Sequence, residues 1–283
     1  MKTIKLNNGF EIPMEGFGVF QVPNHDECRK AVLNAIETGY RYIDTASAYL
    51  NEEAVGKAVK ESGVRREDIF IATKLWVQDA GYENTKRAFE VSMKKLGLDY
   101  LNVYLLHQAY GDYYGSWRAM EEFYKEGRIK ALGVCNFDSL RLVDLCMNFE
   151  VKPVIDQVEL HPFFQRQELI EVMKEYDVLP QAWGPLAEAG QGIFENEVLL
   201  KIAKKYNKTA AQVILRWNIE RGVMIIPKTV HKNRMEENIN IWDFKLDKED
   251  IESIAKLDIG YSKIIDHTSY KTAKFLNEYK IHN

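Results

Sequence analysis

Residues 68–107, DIFIATKLWVQDAGYENTKRAFEVSMKKLGLDYLNVYLLH, decide the fold. The stretch begins with a short apolar run, DIFIATK at 68–74, which is typical of a buried strand. A helix pattern follows at 83–97, and a second apolar strand, YLNVYLLH, follows at 100–107. A strand, a helix and another strand in series are typical of a parallel crossover unit, so the stretch predicts an α/β protein.

The same alternation continues along most of the chain. Strands are predicted at 16–20, 40–44, 68–74, 100–107, 129–135, 154–159, 179–184 and 223–228. Helices are predicted at 26–39, 51–62, 83–97, 115–127, 139–148, 166–176, 195–207, 209–222, 234–241 and 247–257. Residues typical of helix ends support this count, namely Gly39, Gly97, Gly127, Gly222, Thr209 and Asp247. Eight strand–helix units in one series predict a single (β/α)8 TIM barrel domain over residues 1–283.

An open, doubly wound sheet is the alternative architecture. It would carry a G-x-G-x-x-G motif after its first strand, and the stretch GFGVFQVPN at 16–24 does not supply one. The sequence therefore favours the barrel.

Two terminal segments lie outside the repeat. TIKLNNGFEIP at 3–13 alternates apolar and polar residues around Asn8-Gly9, which predicts a β-hairpin within residues 1–13 that caps the barrel bottom. The polar tail at 264–283 is either a loop folded over the barrel mouth or a frayed end. We favour the loop over the mouth, because Tyr270 and Phe275 would otherwise be exposed.

Composition narrows the function classes. The chain is 46% apolar and 28% charged with a net charge of -4, which predicts neither a nucleic-acid partner nor a membrane-binding patch. Its first residues lack the apolar core of a signal peptide, and Cys28, Cys135 and Cys146 show no paired spacing, so we expect a cytoplasmic protein with reduced thiols. No metal-binding motif is present, so no metal is expected.

Four residues at the ends of successive predicted strands suggest a proton donor. Asp44, Lys74 and His107 end three strands, and Tyr49 follows Asp44 by five residues. In a (β/α)8 barrel these ends meet at the catalytic face. A phenol has a pKa near 10, and we expect the Lys74 ammonium to lower it, with Asp44 keeping the lysine charged. His107 is then placed to hydrogen-bond a substrate carbonyl.

The alternative for Asp44 and Lys74 is a buried ion pair that only braces the barrel. Tyr49 and His107 at neighbouring strand ends argue for the catalytic interpretation. No acyl-transfer nucleophile motif is present. The set suits protonation of an oxygen while a cofactor delivers a hydride.

Later strand ends carry groups that suit a nicotinamide cofactor. Asn136 and Gln157 match a carboxamide, because each offers a donor and an acceptor. Trp183 offers a flat face for the nicotinamide ring, although core packing is the alternative. The group that fits the 2′-phosphate of NADPH is Lys228, Thr229 and Arg234.

At this point the chain resembles the aldo-keto reductase family. The resemblance rests on GYRYIDTASAYLNEEAVGKA, IFIATKLW, LDYLNVYLLHQ, GRIKALGVCNF, DQVELHP, QAWGPL and IPKTVHKNRMEEN, which occur in the family's order over nearly the whole chain. Within the family the chain looks most like a bacterial and protozoal branch that includes diketogluconate reductases and prostaglandin F synthase-like enzymes. The resemblance implies an NADPH-dependent carbonyl reductase that uses no metal and is often a monomer.

The resemblance also implies roles for individual residues. Tyr49 would be the general acid, completed by Lys74, Asp44 and His107, and Glu237 with Asn238 would hold the adenine end of NADPH. The complete cofactor-binding set would be Cys135, Asn136, Gln157, Trp183, Gly184, Leu186, Lys228, Thr229, Arg234, Glu237 and Asn238. The chain departs from the family pattern with Cys135 in place of serine, Asp156 in place of asparagine, Thr229 in place of serine, and Gln108-Ala109 in place of tryptophan and proline.

The expected substrate pocket is walled by Phe20, Trp76 and Gln108, beside Tyr49 and His107. Such walls suit small aldehydes, α-dicarbonyls and keto sugars. Two alternatives remain open: an NADPH-binding sensor with negligible turnover, and a cofactor-independent lyase or isomerase that uses Lys74 as a Schiff base.

Overall fold

Eight parallel strands wind around one axis in the computed structural model, which describes residues 2–283. A separate two-stranded hairpin consists of β1 Thr3–Lys5 and β2 Glu11–Pro13. The eight barrel strands are β3 Phe17–Gly18, β4 Tyr42–Asp44, β5 Phe70–Leu75, β6 Val103–Leu106, β7 Leu132–Cys135, β8 Ile155–Glu159, β9 Leu179–Trp183 and β10 Met224–Ile225. The helices are α1 His25–Thr38, α2 Glu52–Glu61, α3 Tyr82–Leu96, α4 Tyr113–Lys125, α5 Ser139–Asn148, α6 Gln167–Glu175, α7 Glu197–Tyr206, α8 Ala210–Glu220, α9 Lys232–Ile239, α10 Lys248–Ala255 and α11 Tyr270–Glu278.

The first and last strands of the sheet close the barrel. Each strand from β3 to β10 pairs with the next in chain order. The Gly16 amide donates to the Ile225 carbonyl at 2.8 Å, and the Ile225 amide donates to the Met14 carbonyl at 3.1 Å. These two bonds join the edges that an open sheet would leave unpaired. The predicted (β/α)8 barrel is confirmed, and the open sheet is excluded.

Local sequence signals fix the helix ends. Thr209 and Asp247 both form capping boxes, in which each side chain accepts from the backbone three residues on. Gly97 ends α3 in the left-handed conformation at φ 64°. Gly56 is required for a different reason: a Cβ at this position would lie 2.0 Å from the Leu96 carbonyl oxygen, so no side chain fits. Glycine at this position lets α2 and α3 pack closely.

The predicted N-terminal hairpin is confirmed and lies under the barrel. β1 and β2 pair antiparallel, with Ile4 opposite Ile12. The Asn7 amide donates to the Pro153 carbonyl at 3.0 Å and the Asn8 amide to the Lys130 carbonyl at 2.9 Å. Both carbonyls precede barrel strands, so the hairpin closes the bottom and leaves the opposite end open.

The C-terminal tail contains a helix that the sequence analysis did not predict. Ser269 caps α11, and its side chain accepts from the Lys271 amide. Trp76 Nε1 donates to the Tyr279 carbonyl at 2.8 Å, which holds the end of the tail against the loop after β5. The expectation that the tail buries Tyr270 and Phe275 is wrong, because they stay 77% and 56% exposed. Leu276 is the buried residue instead.

Asp156 on β8 carries a buried carboxyl group without a partner. It is 0% exposed, and neither carboxyl oxygen has a hydrogen-bond partner within residues 2–283. Burial raises the pKa of Asp156 well above its ordinary value, and Arg166 opposes that shift only in part. The folded protein therefore holds a proton that the unfolded chain releases above a pH of about 4.

We expect Asp156→Asn to stabilise the protein at neutral and alkaline pH. Because the pKa of Asp156 is raised in the folded state, the wild type loses stability as pH rises from about 4 toward that folded pKa. The amide variant lacks this loss. The advantage of the variant in urea unfolding should grow by about 1.4 kcal/mol per pH unit until the folded pKa is passed. A constant difference between pH 5 and pH 8 would contradict this assignment.

Candidate active site at the mouth of the barrel

Lys74 lies at the centre of the predicted site and uses all three of its ammonium hydrogens. It is 0% exposed and lies on β5 beside the end of β4. Lys74 Nζ donates to Asp44 Oδ1 at 2.5 Å, to the Thr45 carbonyl at 2.8 Å and to the Tyr49 hydroxyl at 3.2 Å. Tyr49 ends a short 3-10 helix, Ser47–Tyr49, which directs its hydroxyl to the lysine. Three of the four predicted catalytic residues are thus in direct contact.

Lys74 is charged in this arrangement. Burial, the largest single effect, would lower the pKa of Lys74, but Asp44, Tyr49 and Cys135 together raise it overall, with Asp44 contributing the largest part of the rise. A charged amine whose hydrogens are all bonded has no free electron pair for Schiff-base formation. The geometry therefore argues against the lyase or isomerase alternative.

Tyr49 keeps its proton at neutral pH. Burial raises the pKa of Tyr49 to about 12, although Lys74 lowers it and Asp44 raises it further. The expected net lowering of this pKa is wrong, because the cost of burying a phenolate exceeds the attraction of the ammonium. Tyr49 is accordingly a neutral acid. The ammonium at 3.2 Å would stabilise the phenolate left after Tyr49 gives up its proton.

His107 follows β6 and completes the predicted tetrad. Its ring lies edge-on to Tyr49, with centroids 5.6 Å apart, and to Trp76, with centroids 5.1 Å apart. Burial, then Lys74 and His267, lower the pKa of His107 well below its ordinary value, so the imidazole is neutral. Its Nδ1 is buried and has no partner within residues 2–283. A neutral imidazole beside the Tyr49 ring can hydrogen-bond a substrate oxygen.

The two predicted carboxamide partners are held by other side chains. Gln157 Nε2 donates to Asp44 Oδ2 at 2.9 Å and to Gln181 Oε1 at 2.6 Å, so only its oxygen remains for a ligand. Trp183 Nε1 donates to Asn136 Oδ1 at 2.8 Å. Gln181 was not among the predicted site residues. These bonds connect the ends of β7, β8 and β9 to the Asp44 carboxylate.

One cavity of about 1400 Å³ contains most of the predicted site. It runs from the tetrad at the barrel mouth to the start of α9. The predicted residues that line it are Phe20, Asp44, Tyr49, Trp76, His107, Gln108, Asn136, Gln157, Trp183, Gly184, Leu186, Lys228, Thr229, Arg234, Glu237 and Asn238. The sequence analysis therefore located residues from eight separate segments that share one cavity.

Two predicted site residues do not line this cavity. Lys74 does not line the cavity itself, but it donates to the hydroxyl of Tyr49, which does. Cys135 is 1% exposed and belongs to a core cluster inside the barrel with Tyr42 and Ala72. The Cys135 thiol is therefore placed to support the floor of the site rather than to contact a ligand in the cavity.

The end of the cavity near α9 is cationic and suits a phosphate. Lys228 and Arg234 are exposed, and neither forms an ion pair within residues 2–283. Thr229 Oγ1 accepts from the His231 amide at 3.2 Å, which leaves the hydroxyl hydrogen free to donate. Glu237 Oε1 accepts from the Thr209 hydroxyl at 2.7 Å. Two unpaired cations and a free hydroxyl fit the 2′-phosphate of an NADPH-type nucleotide.

The tail contributes cavity residues that the sequence analysis missed. Ile264, His267, Leu276 and Tyr279 all line the cavity. No local pattern marks these residues, since the contact between Trp76 and Tyr279 joins positions 203 residues apart. Ser262 donates to Glu159 Oε2 at 2.6 Å, which anchors the start of the tail to the end of β8.

A neutral tyrosine lies beside a buried lysine–aspartate pair at the mouth of a closed barrel, and two unpaired cations lie in the same cavity. These features define a class of nucleotide-dependent carbonyl reductases. Within residues 2–283 no group of three or more metal-ligating side chains is assembled, and no helix is long and apolar enough to span a bilayer. The chain belongs to the aldo/keto reductase family, whose sequence profile matches residues 16–259.

Curated and solved relatives agree with this assignment. The chain is 48% identical to the glyoxal reductase of Bacillus subtilis, over 90% of this chain and 92% of that protein. It is 45% identical to the methylglyoxal reductase DkgA of Escherichia coli, over 91% and 94% of the two chains. A Bombyx mori aldo-keto reductase solved in complex with NADP superposes with a TM-score of 0.90 at 32% identity, covering 95% of this chain and 96% of that one. The protein is therefore an NADP(H)-dependent oxidoreductase that reduces carbonyl groups.

Proposed function

We propose that this enzyme reduces small aldehydes, α-dicarbonyls of the glyoxal type and keto sugars to alcohols, with Tyr49 as the proton donor. The observation that carries the proposal is the Tyr49 hydroxyl, which lies 3.2 Å from the charged Lys74 amine at the wall of the ligand cavity. NADPH, when bound, supplies the hydride.

Each tetrad residue has a distinct task in this proposal. The neutral His107 imidazole hydrogen-bonds the substrate carbonyl and orients it toward Tyr49. Tyr49 gives its proton to the oxygen as negative charge develops there. Lys74 stabilises the resulting phenolate, and Asp44 keeps Lys74 charged. Because the Asp44–Lys74 pair is already in place, fixed groups stabilise the negative charge on Tyr49, and no water has to reorient.

The substrate class follows from the pocket walls and from the relatives. The ring centroids of Phe20 and Tyr49 lie 5.0 Å apart and those of Trp76 and His107 lie 5.1 Å apart, so an aromatic side chain lies beside each group assigned to the reacting carbonyl. Such walls accept small carbonyl compounds with little demand on shape. The two bacterial relatives are named for glyoxal and methylglyoxal.

The remaining cavity residues are assigned to NADPH. Gln157 Oε1 and Asn136 would bind the carboxamide, while Trp183, Gly184 and Leu186 would flank the nicotinamide. Lys228, Thr229 and Arg234 would bind the 2′-phosphate, and Glu237 with Asn238 would face the adenine.

We expect Arg234→Ala to weaken NADPH binding by about 10- to 100-fold, because a charge-assisted contact to the 2′-phosphate is lost. NADH lacks that phosphate, so its dissociation constant should change far less. Titration of tryptophan fluorescence with both nucleotides measures the two effects. Lys256→Ala, a cation outside the cavity, is the control. Equal weakening of NADPH and NADH would remove Arg234 from the phosphate site.

The function is tested by mixing the protein with NADPH and methylglyoxal and following NADPH absorbance. Turnover supports the proposal. Tight NADPH binding without turnover on a panel of aldehydes and keto sugars would favour the sensor alternative. Failure to bind NADPH would contradict the cofactor assignment.

We also propose that the protein acts as a cytoplasmic monomer. Its three cysteines, Cys28, Cys135 and Cys146, are all buried and unpaired, which suits a reducing compartment. Sedimentation equilibrium of the purified protein tests the monomer, and a dimer mass would contradict it.

A further inference from the structure

The Trp183 indole fixes the orientation of a neighbouring side-chain amide. An indole N–H can only donate, and Trp183 Nε1 lies 2.8 Å from Asn136 Oδ1. The Asn136 amide nitrogen therefore faces the opposite way, toward the His107 carbonyl at 3.2 Å. A reversed Asn136 amide would set two donors against each other at the indole. The orientation of Asn136 thus follows from chemistry and not only from atom positions.

The fixed Asn136 amide in turn orients Gln108. Asn136 Nδ2 lies 3.4 Å from Gln108 Oε1, at the outer limit of a hydrogen bond. A reversed Gln108 amide would bring two NH₂ groups together at this point. Gln108 Nε2 therefore points elsewhere, and it has no hydrogen-bond acceptor within residues 2–283. Two N–H donors are left free on a side chain that is only 8% exposed.

The free donors belong to a wall of the reaction cavity. Gln108 lines the same cavity as Tyr49 and His107, and it directly follows His107 in the chain. The other walls near the reacting carbonyl, Phe20 and Trp76, present aromatic faces. Gln108 Nε2 is not fully enclosed by protein, so its donors face the cavity, where a ligand oxygen can accept from them in place of water.

We propose that Gln108 selects substrates that carry a second oxygen on the carbon next to the reacting carbonyl. This inference rests on the proposed function, in which the reacting oxygen lies between Tyr49 and His107. The neighbouring oxygen of an α-dicarbonyl or an α-hydroxy aldehyde then accepts from Gln108 Nε2. A simple aldehyde of the same size has no oxygen at that position and leaves the amide unpaired. Sites that hydrogen-bond a substrate group discriminate against analogues that lack it.

Methylglyoxal and propanal form a suitable pair of substrates, because they have the same carbon chain and differ only in the second carbonyl. We would measure kcat/KM for both with wild type, Gln108→Leu and Gln108→Glu. Leucine removes the donor, while glutamate keeps the oxygen that faces Asn136 and replaces the donor with an acceptor. The hydration of methylglyoxal in water cancels when the preferences of wild type and variants are compared, because each protein receives the same solution. Gln167→Leu, on the exposed surface of α6, is the matched control.

The wild type should prefer methylglyoxal, and that preference should fall about 10-fold in Gln108→Leu and at least as far in Gln108→Glu. NADPH affinity, measured by fluorescence titration, should stay close to wild type, which shows that the Asn136–Trp183 contact survives. A preference that persists in both variants would overturn the role of Gln108 while leaving the proposed function intact. A wild type that prefers propanal would overturn both the α-dicarbonyl assignment and the role of Gln108.

Discussion

Tyr49→Phe is expected to lower kcat for carbonyl reduction by at least about 10²-fold while leaving NADPH binding nearly unchanged. The substitution removes only the hydroxyl that lies 3.2 Å from Lys74. The ring contact with Phe20, at 5.0 Å, can persist in the variant. The effect should therefore fall on proton transfer and not on assembly of the site.

Steady-state NADPH oxidation with methylglyoxal measures the loss, and fluorescence titration measures NADPH binding in the same variant. Tyr114→Phe is a matched control, because the Tyr114 hydroxyl bonds Asp144 on the surface, away from the cavity. Activity of Tyr49→Phe within a few-fold of wild type would assign the proton to another group.

Lys74→Met is expected to destabilise the protein by about 3–5 kcal/mol, because Asp44 would remain buried without its cation. Lys74 is 0% exposed and Asp44 is 2% exposed, so water cannot replace the lost partner easily. The variant should also lose carbonyl reduction, since nothing would stabilise the Tyr49 phenolate. Urea unfolding followed by tryptophan fluorescence measures the free energy of unfolding.

The double variant Lys74→Met with Asp44→Asn separates stability from catalysis. It removes both charges, so much of the lost stability should return while activity stays low. Lys86→Met breaks an exposed pair with Glu122 and should change stability much less. If Lys74→Met were no less stable than Lys86→Met, the buried pair would not have the energetic role assigned to it.

The barrel could be predicted because its elements are encoded locally. Each strand is a short apolar run and each helix has its own end signals, such as the capping boxes at Thr209 and Asp247. The Asp44–Lys74 contact could also be predicted from the sequence, because both residues lie at the ends of neighbouring parallel strands. A local pattern and strand order were enough for these features.

Features that depend on packing could not be predicted from the sequence in the same way. The short α11 has mostly exposed residues, so it lacks the apolar stripe that identifies a helix. The pKa of Tyr49 depends on how much of the residue the folded chain buries, and burial raises this pKa more than Lys74 lowers it. The role of Gln157 depended on Gln181, which lies on the next strand at the same register.

The tail also bears on how such an enzyme can diversify. The tail is held to the barrel by polar contacts: Ser262 donates to Glu159, Trp76 to the Tyr279 carbonyl and Tyr110 to the His267 carbonyl, and Gln78 and Asp79 bond the last residues, Ile281 and His282. Among the described residues, none from 262 to 283 belongs to the three apolar clusters that stabilise the barrel. Mutations in the tail can therefore reshape the substrate cavity at little cost to folding. The barrel supplies most of the pocket under the constraint of folding, whereas the tail supplies a smaller part that substitutions can change with less effect on stability.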